Sequence, residues 1–146
     1  MHLKLKIAFT CHCITVVILF IFGLIYLFQA QFMPYHAEAV GKQWSELAPA
    51  FQVLFLALMK VVAGAWFASA SAMTLLLFIP FRKGERWSYY SIPLIGFLVS
   101  GSSLYATLYV SGNTPANPPW IAAAVSIVLL FVGLLLSLGS HKPRQS

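Results

Sequence analysis

Residues 49–80 read PAFQVLFLALMKVVAGAWFASASAMTLLLFIP, and Lys60 is the sole charge between the two end prolines. A stretch this apolar is at ease only in lipid or wholly inside protein, so it reads as a membrane-spanning helix. Gly64, Ala68 and Ala72 follow Lys60 at steps of four, which a helix stacks on one face. Small residues at that spacing let a second backbone approach closely, which is how membrane helices pack when no hydrophobic drive acts between them. The stretch is also long, roughly 48 Å at a rise of about 1.5 Å per residue, against a hydrocarbon core of about 30 Å. Tilt, projection beyond the lipid or a break near Gly64 must absorb the excess. Counting back from Pro80 places Lys60 near the far edge of the hydrocarbon, where its stem could snorkel outward.

On the N-terminal side, the basic start MHLKLK leads into an apolar run over 7–28, long enough to cross a bilayer. It reads as a first span and not as a cleavable leader, because it exceeds the roughly 7–15 apolar residues of a leader and Phe28-Gln29-Ala30 lacks a small-x-small cleavage pattern. The connection 29–48 is polar and carries Glu38, Glu46, His36 and Lys42, and part of it is expected to form a short interfacial helix. On the C-terminal side, FRKGERWS makes a tight basic turn before a third span over 89–111, with Pro93 near its start, where proline is tolerated. Gly96, Ser100, Ser103 and Thr107 form a second small-residue stripe, suited to the stripe of the second span. After the stiff connection GNTPANPP, Pro118-Pro119 is placed to start a fourth span over 120–140, with Ser126, Gly133 and Ser137 on one face.

Composition agrees with this reading. Of 146 residues 60% are hydrophobic and 8% charged, the mean hydropathy is +0.86, and soluble domains carry about 25% charge. One transmembrane domain, 1–146, accounts for the chain. The net charge of +6 would suit nucleic acid, but the basic residues cluster beside apolar runs, where they act as topology signals, so no nucleic-acid partner is expected. Lys4, Lys6, Arg82, Lys83, Arg86, Lys142 and Arg144 fall on one side, and Lys42 with marginal Lys60 on the other. The positive-inside rule then puts both termini in the cytoplasm. Aromatic residues mark both interfaces: Trp87, Tyr89 and Tyr90 on the inner side, Tyr26, Trp44, Tyr109 and Trp120 on the outer. The expected architecture is thus an all-α integral membrane four-helix bundle, both ends inside.

Chemical groups are sparse. Lys60, Tyr26, Tyr105, Tyr109, His36 and Glu38 are expected in the same outer half of the membrane, and they form the candidate ligand-binding set. No span contains a carboxylate to pair with Lys60, so its partner must be a loop glutamate, a tyrosine hydroxyl, a helix carbonyl, a lipid phosphate or an acidic ligand. Met33, His36 and Glu38 are a weak metal set. Cys11 and Cys13 point about 200° apart on a helix and cannot close on one metal. A haem held between two helices would want a second histidine within the spans, a proton-coupled exporter an embedded carboxylate, and a quinone-linked disulfide enzyme the spacing C-x-x-C; the chain has none of these. No catalytic set, metal or cofactor is expected.

The phrases MPYHAEAVG, FRKGERWSYY and TPANPPW resemble those of small uncharacterised four-helix proteins of bacterial inner membranes, over about residues 33–120. That resemblance implies a location and an architecture, and it carries over no functional residues. The DoxX-like proteins look similar in hydropathy alone. The expected function is a non-enzymatic membrane module, either an accessory or assembly subunit or a binder of a lipid-like molecule between the helices. The bilayer is its first partner, and other membrane subunits or a second copy are further ones. The alternative expectations are small-solute transport through Lys60 and the polar face of the third span, and a membrane enzyme acting on a lipid or quinone.

Overall fold

The computed structural model describes residues 2–140, and among them every regular element is helical. In chain order these are α1 (Leu3–Phe28), α2 (Pro34–Val40), a 3₁₀ turn (Trp44–Glu46), α3 (Pro49–Leu76), a π turn (Leu77–Phe81), α4 (Ser88–Asn113) and α5 (Trp120–Leu138). Four segments, α1, α3 with its π turn, α4 and α5, are long and apolar enough to cross a membrane. Lys142 and Arg144, counted for orientation, lie outside the described residues.

The helix ends follow local chemistry. Pro34 and Pro49 open α2 and α3, where a missing N–H leaves no bond unmade. Gly41 closes α2 at φ 70°, and its N–H donates to the Ala37 carbonyl at 2.8 Å. That left-handed cap suits a residue without a Cβ. In α3 the irregularity sits at the C-terminal end and not near Gly64. Pro80 can donate no hydrogen bond, and the chain widens into the π turn around it. The Glu85 N–H then returns to the Pro80 carbonyl at 3.0 Å, and Gly84 turns the chain at φ 79°.

The long helices touch in a ring. α1 packs along α3 on one side and α5 on the other, α5 packs along α4, and α4 meets α3 over a shorter length. Phe9 of α1 stands edge-on to Phe78 at 5.4 Å between ring centroids, while Tyr26 meets Trp66 of α3 at 4.8 Å, so α1 and α3 run antiparallel. This brings Lys4 and Lys6 to the same end as Arg82, Lys83 and Arg86.

At that basic end the packing is tight. Met73, Leu77, Phe81, Ile92 and Leu130 are fully enclosed, and Phe81 also touches Tyr89. Glycines set the approach of the helices. A Cβ added to Gly96 would lie 2.5 Å from Leu130, and one added to Gly133 would lie 2.5 Å from His12. Gly96, Ser100, Ser126, Gly133 and Ser137 are all buried, while Ser103 and Thr107 are half-buried. The α4 stripe, expected against the second span, finds its closest partner at Gly96 on α5 instead.

The α3 stripe is displaced from the contact face. Gly64 and Ala68 are exposed, Ala72 is half-buried, and no neighbouring atom stands within 4 Å of a Cβ built on Gly64. The buried face is made by Met59, Ala63, Trp66, Ala70 and Met73. Steps of three and four from Met59 produce that face, and it carries larger side chains than the small-residue row beside it.

Candidate functional site

Toward the opposite end the four helices part around a cavity of about 450 Å³. Its walls are mostly apolar: Leu19 and Phe22 of α1, Phe55, Met59 and Trp66 of α3, and Ala123 of α5. The wall residues that remain exposed lie mainly on α3 and α4, among them Leu58, Val62, Ala65 and Ala106. That is where the ring of helices is least closed, so the cavity opens sideways between α3 and α4.

The segment 29–48 folds back over this end. Phe32, Leu47 and Met59 form a small core with Trp44 and Phe55 packed against it, and Phe32 stands edge-on to Trp44 at 5.0 Å and to Phe55 at 5.6 Å. The 3₁₀ turn is pinned from both sides. Gln43 N–H donates to the Glu46 carboxylate at 2.6 Å, and the Gln52 amide donates to the Trp44 carbonyl at 2.8 Å. These contacts fix α2, which brings Tyr35 and His36 into the cavity lining.

His36 Nδ1 accepts the Met33 N–H at 3.3 Å. Burial lowers the His36 pKa from its ordinary 6.5, because the charged ring would lose its water. The neutral ring therefore carries its hydrogen on Nε2. Beside it the hydroxyls of Tyr35 and Tyr26 are hydrogen-bonded to one another. Burial pushes the Tyr35 phenol well above its ordinary range, and the neighbouring Tyr26 adds to the shift, so it stays a protonated donor.

Further in, Trp66 Nε1 donates to Ser103 Oγ at 3.3 Å, and Ser103 in turn donates to the Val99 carbonyl. Ser102, Thr107 and Ser126 likewise bond back along their own helices. Ser100 is the exception on this wall: it is 2% exposed and its hydroxyl has no partner among the described residues.

Of the expected ligand-binding set, the structure gathers Tyr26 and His36 at the cavity and sends the others elsewhere. Lys60 turns away from it. Its ammonium donates to the main-chain carbonyls of Tyr26 at 3.4 Å, of Leu27, and of Gln29 at 3.0 Å, so α3 caps the C-terminal end of α1. A cation there meets the negative end of the helix dipole and the carbonyls that the last turn leaves unpaired. Of the partners weighed for Lys60, a helix carbonyl is the one observed. Tyr105 and Tyr109 are exposed and stack on each other at 6.0 Å. Glu38 is exposed beside Lys42 and Glu46 in a shallow polar hollow. Met33 accepts from the Gln29 amide through its sulfur at 3.5 Å. Cys11 and Cys13 are free thiols. Sequence reasoning missed Trp66 and the alanines of the lateral opening, and named Ser100 for helix packing and not for the cavity. Compared with known proteins, the chain matches no family model, no curated sequence and no solved structure.

Proposed function

We propose that the chain is an integral membrane protein of four spans with both ends in the cytoplasm, and that it binds one lipid-like molecule in the cavity between its helices. The orientation is supported by Lys4, Lys6, Arg82, Lys83 and Arg86 lying at one end, where the positive-inside rule places the cytoplasm. The binding reading is carried by a single observation, the apolar cavity of about 450 Å³ that opens sideways between α3 and α4. Cavities of this size, mostly apolar with a few placed polar groups, are the usual form of small-molecule sites. In a bilayer the opening would face acyl chains, so an apolar molecule could enter without crossing water.

Native mass spectrometry of the protein released from mild detergent tests the reading. One apolar molecule retained per chain is expected, and Ala123→Phe, which fills the wall, should lower its occupancy at least tenfold while the variant still purifies as a folded monodisperse species. An empty wild-type protein, or occupancy indifferent to Ala123→Phe, would remove the proposal.

A further inference from the structure

The cavity distinguishes between classes of apolar ligand by what its wall lacks and by what it leaves unpaired. Among the described residues no Lys, Arg, Asp or Glu lines it. Lys60, the one charge within α3, is engaged by the carbonyls at the end of α1. An ionised head would enter with no counter-charge, a heavily penalised arrangement.

What the wall does offer is hydrogen-bond donors. His36, neutral and with Nδ1 occupied by Met33, has its remaining hydrogen on Nε2. The Tyr26–Tyr35 pair uses one hydroxyl hydrogen between its oxygens and keeps a second free to donate. Deeper in, Ser100 has a buried hydroxyl with no partner, although serines and threonines around it bond back to their own helices. That oxygen is itself covered by its neighbours, so the donors left for a ligand are those of His36 and the tyrosine pair. Buried unpaired polar atoms also occur at His12 and Ser111, but neither lines the cavity.

Resting on the lipid-binding reading above, we infer that the ligand is a neutral carbonyl-bearing amphiphile, a quinone ring or an acyl ester, whose oxygen accepts from His36 Nε2 while its tail leaves between α3 and α4. Size agrees. A cavity of about 450 Å³ has room for on the order of 15 water-sized units at about 30 Å³ each, enough for a ring or the carbonyl end of a chain whose tail leaves between the helices.

The test uses the full chain in detergent at pH 8, with methyl laurate, laurate and a short-tailed p-benzoquinone as probes, each measured by displacement in native mass spectrometry. Methyl laurate or the benzoquinone, whichever source chemistry the site prefers, should bind at least tenfold tighter than laurate. His36→Phe should weaken the preferred neutral probe about tenfold, Ser100→Ala, which removes a covered hydroxyl, should leave it unchanged, and neither should weaken laurate. Equal affinity for laurate and methyl laurate, or affinity for the neutral probe unmoved by His36→Phe, would overturn the inference and leave the lipid-binding reading intact. No retained lipid and no binding of any probe would remove both.

Discussion

A Cβ added to Gly133 would stand 2.5 Å from Cε1 of His12 and 2.7 Å from its Nε2, so the imidazole on α1 fills the space that a side chain on α5 would need. His12 is fully buried, its two nitrogens have no hydrogen-bond partner among the described residues, and Phe81 stands edge-on to the ring at 6.0 Å. The pair joins the first long helix to the last.

Two substitutions at this contact should act in opposite directions. Gly133→Ala gains up to about 1 kcal/mol of helix propensity, but a methyl driven against a rigid enclosed ring costs about 1–3 kcal/mol. A lower Tm in detergent is expected. His12→Leu removes a buried ring whose nitrogens are unpaired, a cost of about 1–3 kcal/mol, and fills a similar volume, so its Tm should rise. A fall with His12→Leu would mean that the imidazole has a partner in the membrane.

Lys60→Met removes the cation from the carbonyls of Tyr26 and Gln29. Hydrogen bonds to a charged group contribute about 1.5–3 kcal/mol, so a loss of that order is expected. It should appear as faster amide hydrogen exchange over residues 26–30, with ligand occupancy of the cavity unchanged. If occupancy collapsed while exchange stayed the same, Lys60 would belong to the binding site.

His36 should make stability depend on pH. Its pKa lies below 6.5 in the folded protein, so on acidification the unfolded chain takes up a proton before the folded one does. Stability contributed by the neutral ring is complete above about pH 6.5 and is lost as pH falls below it. The difference in Tm between wild type and His36→Gln should therefore shrink on going from pH 7.5 to 5. A difference that grows on acidification would show that the ring is charged in the fold.

Orientation is open to cysteine labelling in a Cys11→Ser, Cys13→Ser background. A cysteine replacing Gly84 in the basic turn should be blocked only by membrane-permeant reagents, and one replacing Ser45 by impermeant reagents added outside. Reversed protection would turn the proposed topology over.

The apolar lengths and the prolines at 49 and 118–119 made the long helices legible in the sequence, because a span announces itself by composition and its start by a residue that needs no N–H. Contact faces were harder to read. Gly64, Ala68 and Ala72 satisfy a small-residue rule at perfect spacing, yet the helix presents Met59, Ala63, Trp66 and Ala70 inward, where shape-matching with α1 outweighs close backbone approach. Gly96 and Gly133 were visible as small residues, but their partners Leu130 and His12 depend on which helices become neighbours. The cavity was less legible still. It results from helices diverging at one end, and no single segment encodes that divergence. Lys60 shows the same limit: its charge was conspicuous, while the carbonyls that receive it come from a backbone more than 30 residues away.

Because α1 is flanked by α3 on one side and α5 on the other, α1 leaves the ribosome well before one of its two neighbours and has to wait for it. A nascent chain halted after Asn113 would have a bare groove beside His12, with nothing yet to fill it. Closure of the ring thus follows synthesis of α5, and a product shortened before it should be recognisable to membrane proteases by that uncovered flank.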